Sequence, residues 1–126
     1  MITREPTIMD AHHFVETYRR GKAFLGYTRV EIIREIRLAV EHKAFGYVMN
    51  QYGFIAGIVT AEIDHGCRVV RIKNILTSSK GAMQSLVSVY NRLCPGYRIV
   101  AKRRGRYVEY DTDRLLKHLT LTKKAN

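Results

Sequence analysis

The 126-residue sequence predicts an α/β (α+β) fold, a mixed and mainly antiparallel sheet flanked by helices, and three observations predict it. Two stretches near the N-terminus carry apolar residues at helical spacing. From Phe45 onward the period changes to that of strands. From Val69 to Leu93 an apolar strand pattern breaks at Ser78-Ser79-Lys80-Gly81 and restarts with helical periodicity.

The elements follow in order. Residues 1–9 read as a short strand that Pro6 restricts to an edge or a bulge. Asp10 then stands where an N-cap belongs, ahead of a helix whose Phe14, Val15 and Tyr18 share one face and which Gly21 closes. After a glycine-containing loop, Thr28-Arg29-Val30-Glu31 forms a capping box. The helix it opens carries Ile32, Ile33, Ile36 and Val40 inward, turns Arg34, Glu35, Arg37 and Glu41 outward, and ends near Lys43.

Residues Phe45 to Asp64 read as an antiparallel hairpin turning at Tyr52-Gly53, with Gly57 marking a bulge or a close approach of another backbone. Asp64-His65-Gly66 turns the chain into the strand before the Ser-Ser-Lys-Gly loop. Cys94-Pro95-Gly96 stops the helix after that loop, and YRIVAKR is a further strand. RGRYVEY reads as its hairpin return, turning at Arg104-Gly105, and DTDRLLKHL as a short terminal helix.

Length and composition set limits on the whole. The chain fits one domain, residues 1–126, and its 46% hydrophobic and 26% charged residues are those of an ordinary globular protein. No apolar run approaches the ~18 residues needed to cross a bilayer, and the N-terminus lacks the order of a secretory signal, so no membrane partner and a cytoplasmic or virion-internal location are expected. Cys67 and Cys94 show no CxxC spacing, and the five histidines lack ligand spacing, so no metal is expected.

Twenty-two Lys and Arg against eleven Asp and Glu give a net charge of +11, which points to a nucleic acid or an acidic protein surface as partner. The excess is concentrated in a basic C-terminal segment at about 98–126, where nine Lys and Arg face three carboxylates between Arg98 and Lys124. Within it, Lys102, Arg103, Arg104 and Arg106 flank a glycine and precede two tyrosines, a composition that neutralises phosphates and stacks on bases. Strand alternation lets only part of this run share one face.

The strand, small-residue loop and helix start at 69–93 aim unpaired N–H groups and a helix dipole at one point, an arrangement that suits a phosphate or pyrophosphate. An ordinary capped loop, with Ser78 or Ser79 as N-cap, explains the same residues. Taken with Ile2-Thr3-Arg4-Glu5-Pro6-Thr7 before Asp10-Ala11 and with the hairpin FGYVMNQYGFIAGIVTAEID, however, the order of elements resembles the GNAT family of N-acetyltransferases over roughly the first 100 residues. The loop departs from the family's Gln/Arg-x-x-Gly-x-Gly/Ala pattern, with Ser78 at the first position and Met83 at the last.

The resemblance implies an acyl-CoA site, with acetyl-CoA as the cofactor. The strand edge at Ile75, Leu76 and Thr77 would pair with the pantetheine arm, and Ser79, Lys80, Gly81, Ala82 and Met83 would hold the pyrophosphate, Lys80 adding its charge. Acyl transfer to an amine needs a base, an oxyanion donor and an acid for the leaving thiolate. Many family members carry a Glu on the strand before the loop, where this chain has Val70-Arg71-Ile72-Lys73-Asn74. Glu62, with Asp64 beside it, is then the nearest base, and Tyr107 and Tyr110 are the candidate acids. Both carboxylates also read as solvated charges offsetting Arg68 and Arg71.

Two functions therefore compete. One is a compact N-acetyltransferase of the phage-encoded kind, acting on an amine of a protein or other macromolecule. The alternative is a catalytically inactive protein of the same fold that binds nucleic acid or serves in virion or host interaction.

Overall fold

The computed structural model describes residues 5–19, 23–78, 82–103 and 106–110, with Arg103 described by its backbone alone. The elements are α1 (Ile8–Tyr18), α2 (Arg29–Glu41), β1 (Phe45–Met49), β2 (Ile55–Asp64), β3 (Val69–Thr77), α3 (Ala82–Leu93), β4 (Arg98–Arg103) and β5 (Arg106–Glu109). The strands form one sheet in sequence order, β1-β2-β3-β4-β5. Every pairing is antiparallel except β3 with β4, whose crossover contains α3. The expected mixed, mainly antiparallel sheet flanked by helices is the observed architecture.

Both early helices begin with a capping box. The Thr28 hydroxyl accepts from the Glu31 N–H and the Glu31 carboxylate accepts from the Thr28 N–H, as the sequence indicates. At α1 the roles differ from expectation. Thr7 is the cap, its hydroxyl accepting from the Asp10 N–H, while Asp10 reaches back to the Thr7 N–H from inside the first turn. A helix opening at Ile8 also ends the expected N-terminal strand, since residues 5–7 have no regular structure and residues 1–4 lie outside the described set. Gly21, expected to close α1, lies outside it too; the helix ends at Tyr18 with Arg19 as its cap.

The sheet has two covered faces. On one, α1, α2 and the turn between them pack Phe14, Val15, Phe24, Ile32 and Ile36 against Ile58 and Leu76. On the other, α3 packs Leu86, Val87 and Tyr90 against Val59, Val70, Ile72, Ile99 and Ala101. The inward stripe of α2 is Ile32, Ile36 and Ala39, spaced four and three residues apart; Val40 points outward at 43% exposure because it stands a further 100° around the helix.

Gly57 lets α3 sit close, and Gly46 leaves room for Val59 of the neighbouring strand β2. A Cβ on Gly57 would stand 2.9 Å from Leu86 Cδ1 and 3.3 Å from the Leu76 carbonyl oxygen, and one on Gly46 would stand 2.8 Å from Val59 Cγ1. Gly57 is thus a close approach. The fully buried Tyr90 anchors the same helix, its hydroxyl donating to the Ala44 carbonyl at 2.7 Å. Burial pushes its pKa above the usual tyrosine range.

Replacing Gly57 with Val should lower stability by about 1–3 kcal/mol, because Leu86 is itself fully buried and has little room to withdraw. Urea denaturation measures it, and an unchanged midpoint would contradict the close approach.

Candidate functional site

The strand β3 is interrupted at Lys73. Thr60 pairs with Asn74 and Ala61 with Ile72, so Lys73 is the extra residue of a β-bulge. The consequence is directional. Val70 and Ile72 face α3, as Ile75 does beyond the bulge, whereas Lys73 and Asn74 both turn toward α2 and the α1–α2 turn.

The same point is where β3 leaves β4. Their parallel register covers Val69–Ile72 and Arg98–Ala101 and goes no further, and among the described residues no strand pairs with Lys73–Thr77 on that side. Ile75, Leu76 and Thr77, the residues expected to bind an acyl-CoA arm, therefore lie on an open stretch of strand edge. α3 begins shortly beyond it at Ala82, followed by Met83, which is 38% exposed. Ser79, Lys80 and Gly81 lie outside the described residues. Ser78 is not a helix cap: its N–H and its hydroxyl both donate to the Ala56 carbonyl, extending the β2–β3 ladder.

On the α2 face, beside the bulge, a cleft of about 560 Å³ is lined by Glu35, Leu38 and Ala39 from α2 and by its C-cap His42, by Ala61 to His65 from β2 and its turn, and by Arg71 and Lys73 from β3. Its volume falls in the range of small-molecule sites. Glu62, the candidate base, is among these residues. Lys73 Nζ stands 2.8 Å from Glu35 Oε1 and 3.6 Å from Glu62 Oε1, and Arg71 stands 3.5 Å from Asp64.

These contacts set the charges. The hydrogen bond to Glu35 raises the Lys73 pKa against the opposing effect of partial burial, with the charges of Glu35 and Glu62 adding to it, so Lys73 is a fixed cation rather than a base. Asp64 is held below the usual carboxylate range, mainly by the Cys67 N–H it accepts from at 3.0 Å and secondarily by Arg71. Glu62 is the carboxylate least committed to a partner, since its side chain is 63% exposed and Lys73 is closer to Glu35.

The second bulge residue ties the α1–α2 turn down. Buried Asn74 accepts from the Phe24 N–H at 3.1 Å and donates to the Thr60 hydroxyl at 3.3 Å. Phe24 is fully buried with φ +56°, and Arg19 donates to the Tyr27 carbonyl across the same turn. The turn is thereby held over the end of β3 where its edge is open.

The two candidate tyrosines separate. Tyr107 pairs with Lys102 and by strand alternation shares the α2 face with Val100, Arg71 and Glu62, and it is 62% exposed. Tyr110 lies across from Ile99, packs against the α3-side core and faces away from the cleft. The basic run divides similarly, with Lys102 on the α2 face and Arg106, paired with the Arg103 backbone, on the opposite one. Arg104 lies outside the described residues, as do residues 111–126 and the helix expected there.

Glu35, Lys73 and Asn74 were not among the expected site residues, although the sequence carries a signal for two of them. In Val70-Arg71-Ile72-Lys73-Asn74-Ile75 the apolar alternation slips by one at two consecutive polar residues, which is how a bulge reads in a strand. Glu35 gives no such signal, because a carboxylate on the polar side of α2 looks like any solvated charge.

Among the described residues, no three His, Cys, Asp or Glu side chains converge to hold a metal, and no helix is long and apolar enough to cross a membrane. No family model, curated protein or solved structure matches the chain.

Two outcomes are expected. Asn74→Ala leaves the buried Phe24 N–H without its acceptor and should cost about 1–3 kcal/mol in chemical denaturation. Because the folded-state pKa of Asp64 is depressed, its contribution to stability is complete above the ordinary carboxylate value of about 4 and is lost as the pH falls below it. Thermal melts across that range should show a shallower acid loss in Asp64→Asn than in the parent protein, together with a lower melting temperature at neutral pH.

Proposed function

We propose that the protein is an acyl-CoA-dependent N-acetyltransferase of the GNAT kind, transferring an acetyl group to an amine. The observation that carries this reading is the parting of β3 from β4 after Ile72. An open strand edge offers N–H and C=O groups in a row, and an extended chain bearing amides, such as pantetheine, satisfies them as an added strand. Ile75, Leu76 and Thr77 supply that edge, and Ala82 and Met83 at the start of α3, with Ser79, Lys80 and Gly81 that precede them in the sequence, take the pyrophosphate.

The cleft beneath α2 supports the reading because it adjoins this edge at Lys73 and contains Glu62, an exposed carboxylate 3.6 Å from the Lys73 ammonium. Bound acetyl-CoA supplies the activated thioester. Glu62 then takes the proton that the acceptor amine releases, directly or through a water, and Lys73 and Glu35 fix the charge around it. Tyr107, exposed on the same face of the sheet, is the candidate donor to the departing thiolate, while Tyr110 drops out of the proposed machinery.

Saturating acetyl-CoA should raise the melting temperature by several degrees, since a ligand at about 100 times its Kd stabilises by about 2.7 kcal/mol. Gly81→Glu should remove the shift by placing a carboxylate and a side chain in the pyrophosphate loop. Glu62→Gln should retain the shift and lose turnover. No shift with acetyl-CoA at saturation would end the proposal.

A further inference from the structure

The charges in the cleft are set out in an order along β2 and β3. Glu62 and Arg71 stand directly opposite each other in the register, the position in which unlike charges ordinarily pair across a sheet. No ion pair joins them. Glu62 reaches instead to Lys73 at 3.6 Å, and Arg71 reaches the other way, to Asp64 at 3.5 Å.

Each of these contacts is the weaker one for the group that receives it. Lys73 is held by Glu35 at 2.8 Å, and Asp64 accepts from the Cys67 N–H at 3.0 Å. Arg71 Nη1 donates to Asp64, and among the described residues its guanidinium makes no other hydrogen bond. Half-exposed ion pairs of this length contribute little, whereas a planar guanidinium offers a carboxylate two parallel donors. The cleft therefore contains one carboxylate and one guanidinium, each able to exchange a long contact for a shorter one.

We propose that the acceptor bound in this cleft is an α-amino acid, its carboxylate on Arg71 and its ammonium on Glu62. Net charge favours a zwitterion over a simple cation, because a bare ammonium is repelled by a chain of charge +11 and by Lys73 and Arg71 in the cleft itself. Side chains opposite each other in a sheet leave Cβ atoms about 4.5–5.5 Å apart, so the two groups can close on charges one carbon apart. Leu38 and Ala39 of α2 line the same cleft and give the ligand's side chain an apolar wall.

The register also orients the ligand. Glu62 leans toward Lys73, where the open edge of β3 begins, and Arg71 leans toward Asp64 at the far end of the strand pair. The amine thus points to the edge assigned to the acyl donor and the carboxylate points away. As a reaction this rests on the acyl-transfer reading; as binding it stands without it. The transfer forms the N–C bond of an N-acetyl amino acid and breaks the thioester C–S bond. Of the two protons the ammonium loses, one leaves through Glu62 and the other balances the one that the thiolate takes from Tyr107.

Isothermal titration of the full chain at about pH 6.5, with and without CoA, compares L-leucine with 3-methylbutylamine, which lacks its carboxylate, and 4-methylpentanoate, which lacks its ammonium. Leucine should bind about tenfold more tightly than either, since each fragment forfeits one charge-assisted contact. Arg71→Gln should weaken leucine about tenfold and leave 3-methylbutylamine unchanged, while Glu62→Gln should weaken leucine and leave 4-methylpentanoate unchanged. An amine that binds as tightly as leucine would overturn the proposal in favour of a simple cation, and a carboxylate that does so in favour of an anion. Absence of leucine binding at tens of millimolar in both conditions would overturn it as well, even where acetyl-CoA raises the melting temperature. Leucine selectivity without that acetyl-CoA shift would instead leave the zwitterion site standing and end the acyl-transfer reading.

Discussion

One residue of β3 has no opposite number in β2, and much of the molecule is arranged around that fact. The bulge at Lys73 lets the strand keep Val70, Ile72 and Ile75 on the α3 core while sending two successive polar side chains to the other face. Lys73 links α2 to the rim of β2 through Glu35 and Glu62, and Asn74 fastens the α1–α2 turn to β3 through the Phe24 N–H. The bulge also coincides with the end of β3–β4 pairing. A local addition of one residue thus fixes a wall of the cleft, the α1–α2 turn and the open edge together.

Much of the scaffold was legible in the sequence because its signals are local. The Thr28 capping box, the turns at Tyr52-Gly53 and at Asp64 to Gly66, and the stop at Pro95-Gly96 each depend on a few adjacent residues, and each lies where those residues indicate. The N-terminus failed for a related reason. Thr7 and Asp10 both belong to caps, and a reading that saw Asp10 as the cap missed that Thr7, three residues earlier, completes the box. A strand through Pro6 was then expected where the chain is already turning into α1.

The site was less legible because it depends on register. Whether Tyr107 or Tyr110 shares a face with Glu62 is decided by the parity of three strand pairings, none of which a linear sequence displays. Likewise, Glu35 becomes part of a cleft through its distance to Lys73, 38 positions along the chain. Lys102 and Arg106 look like one basic cluster in the sequence, yet alternation divides them between the faces.

The single parallel pairing has a kinetic meaning as well. β1, β2 and β3 form a meander whose turns close over short loops, whereas β4 reaches β3 only after the crossover through α3. Loop-closure entropy makes such a non-local pairing the later event. It is also a slender one, resting on four residue pairs between Val69–Ile72 and Arg98–Ala101 plus the packing of α3. The sheet therefore consists of a locally assembled half and an appended hairpin, and the seam between them is the line along which β3 and β4 already begin to separate.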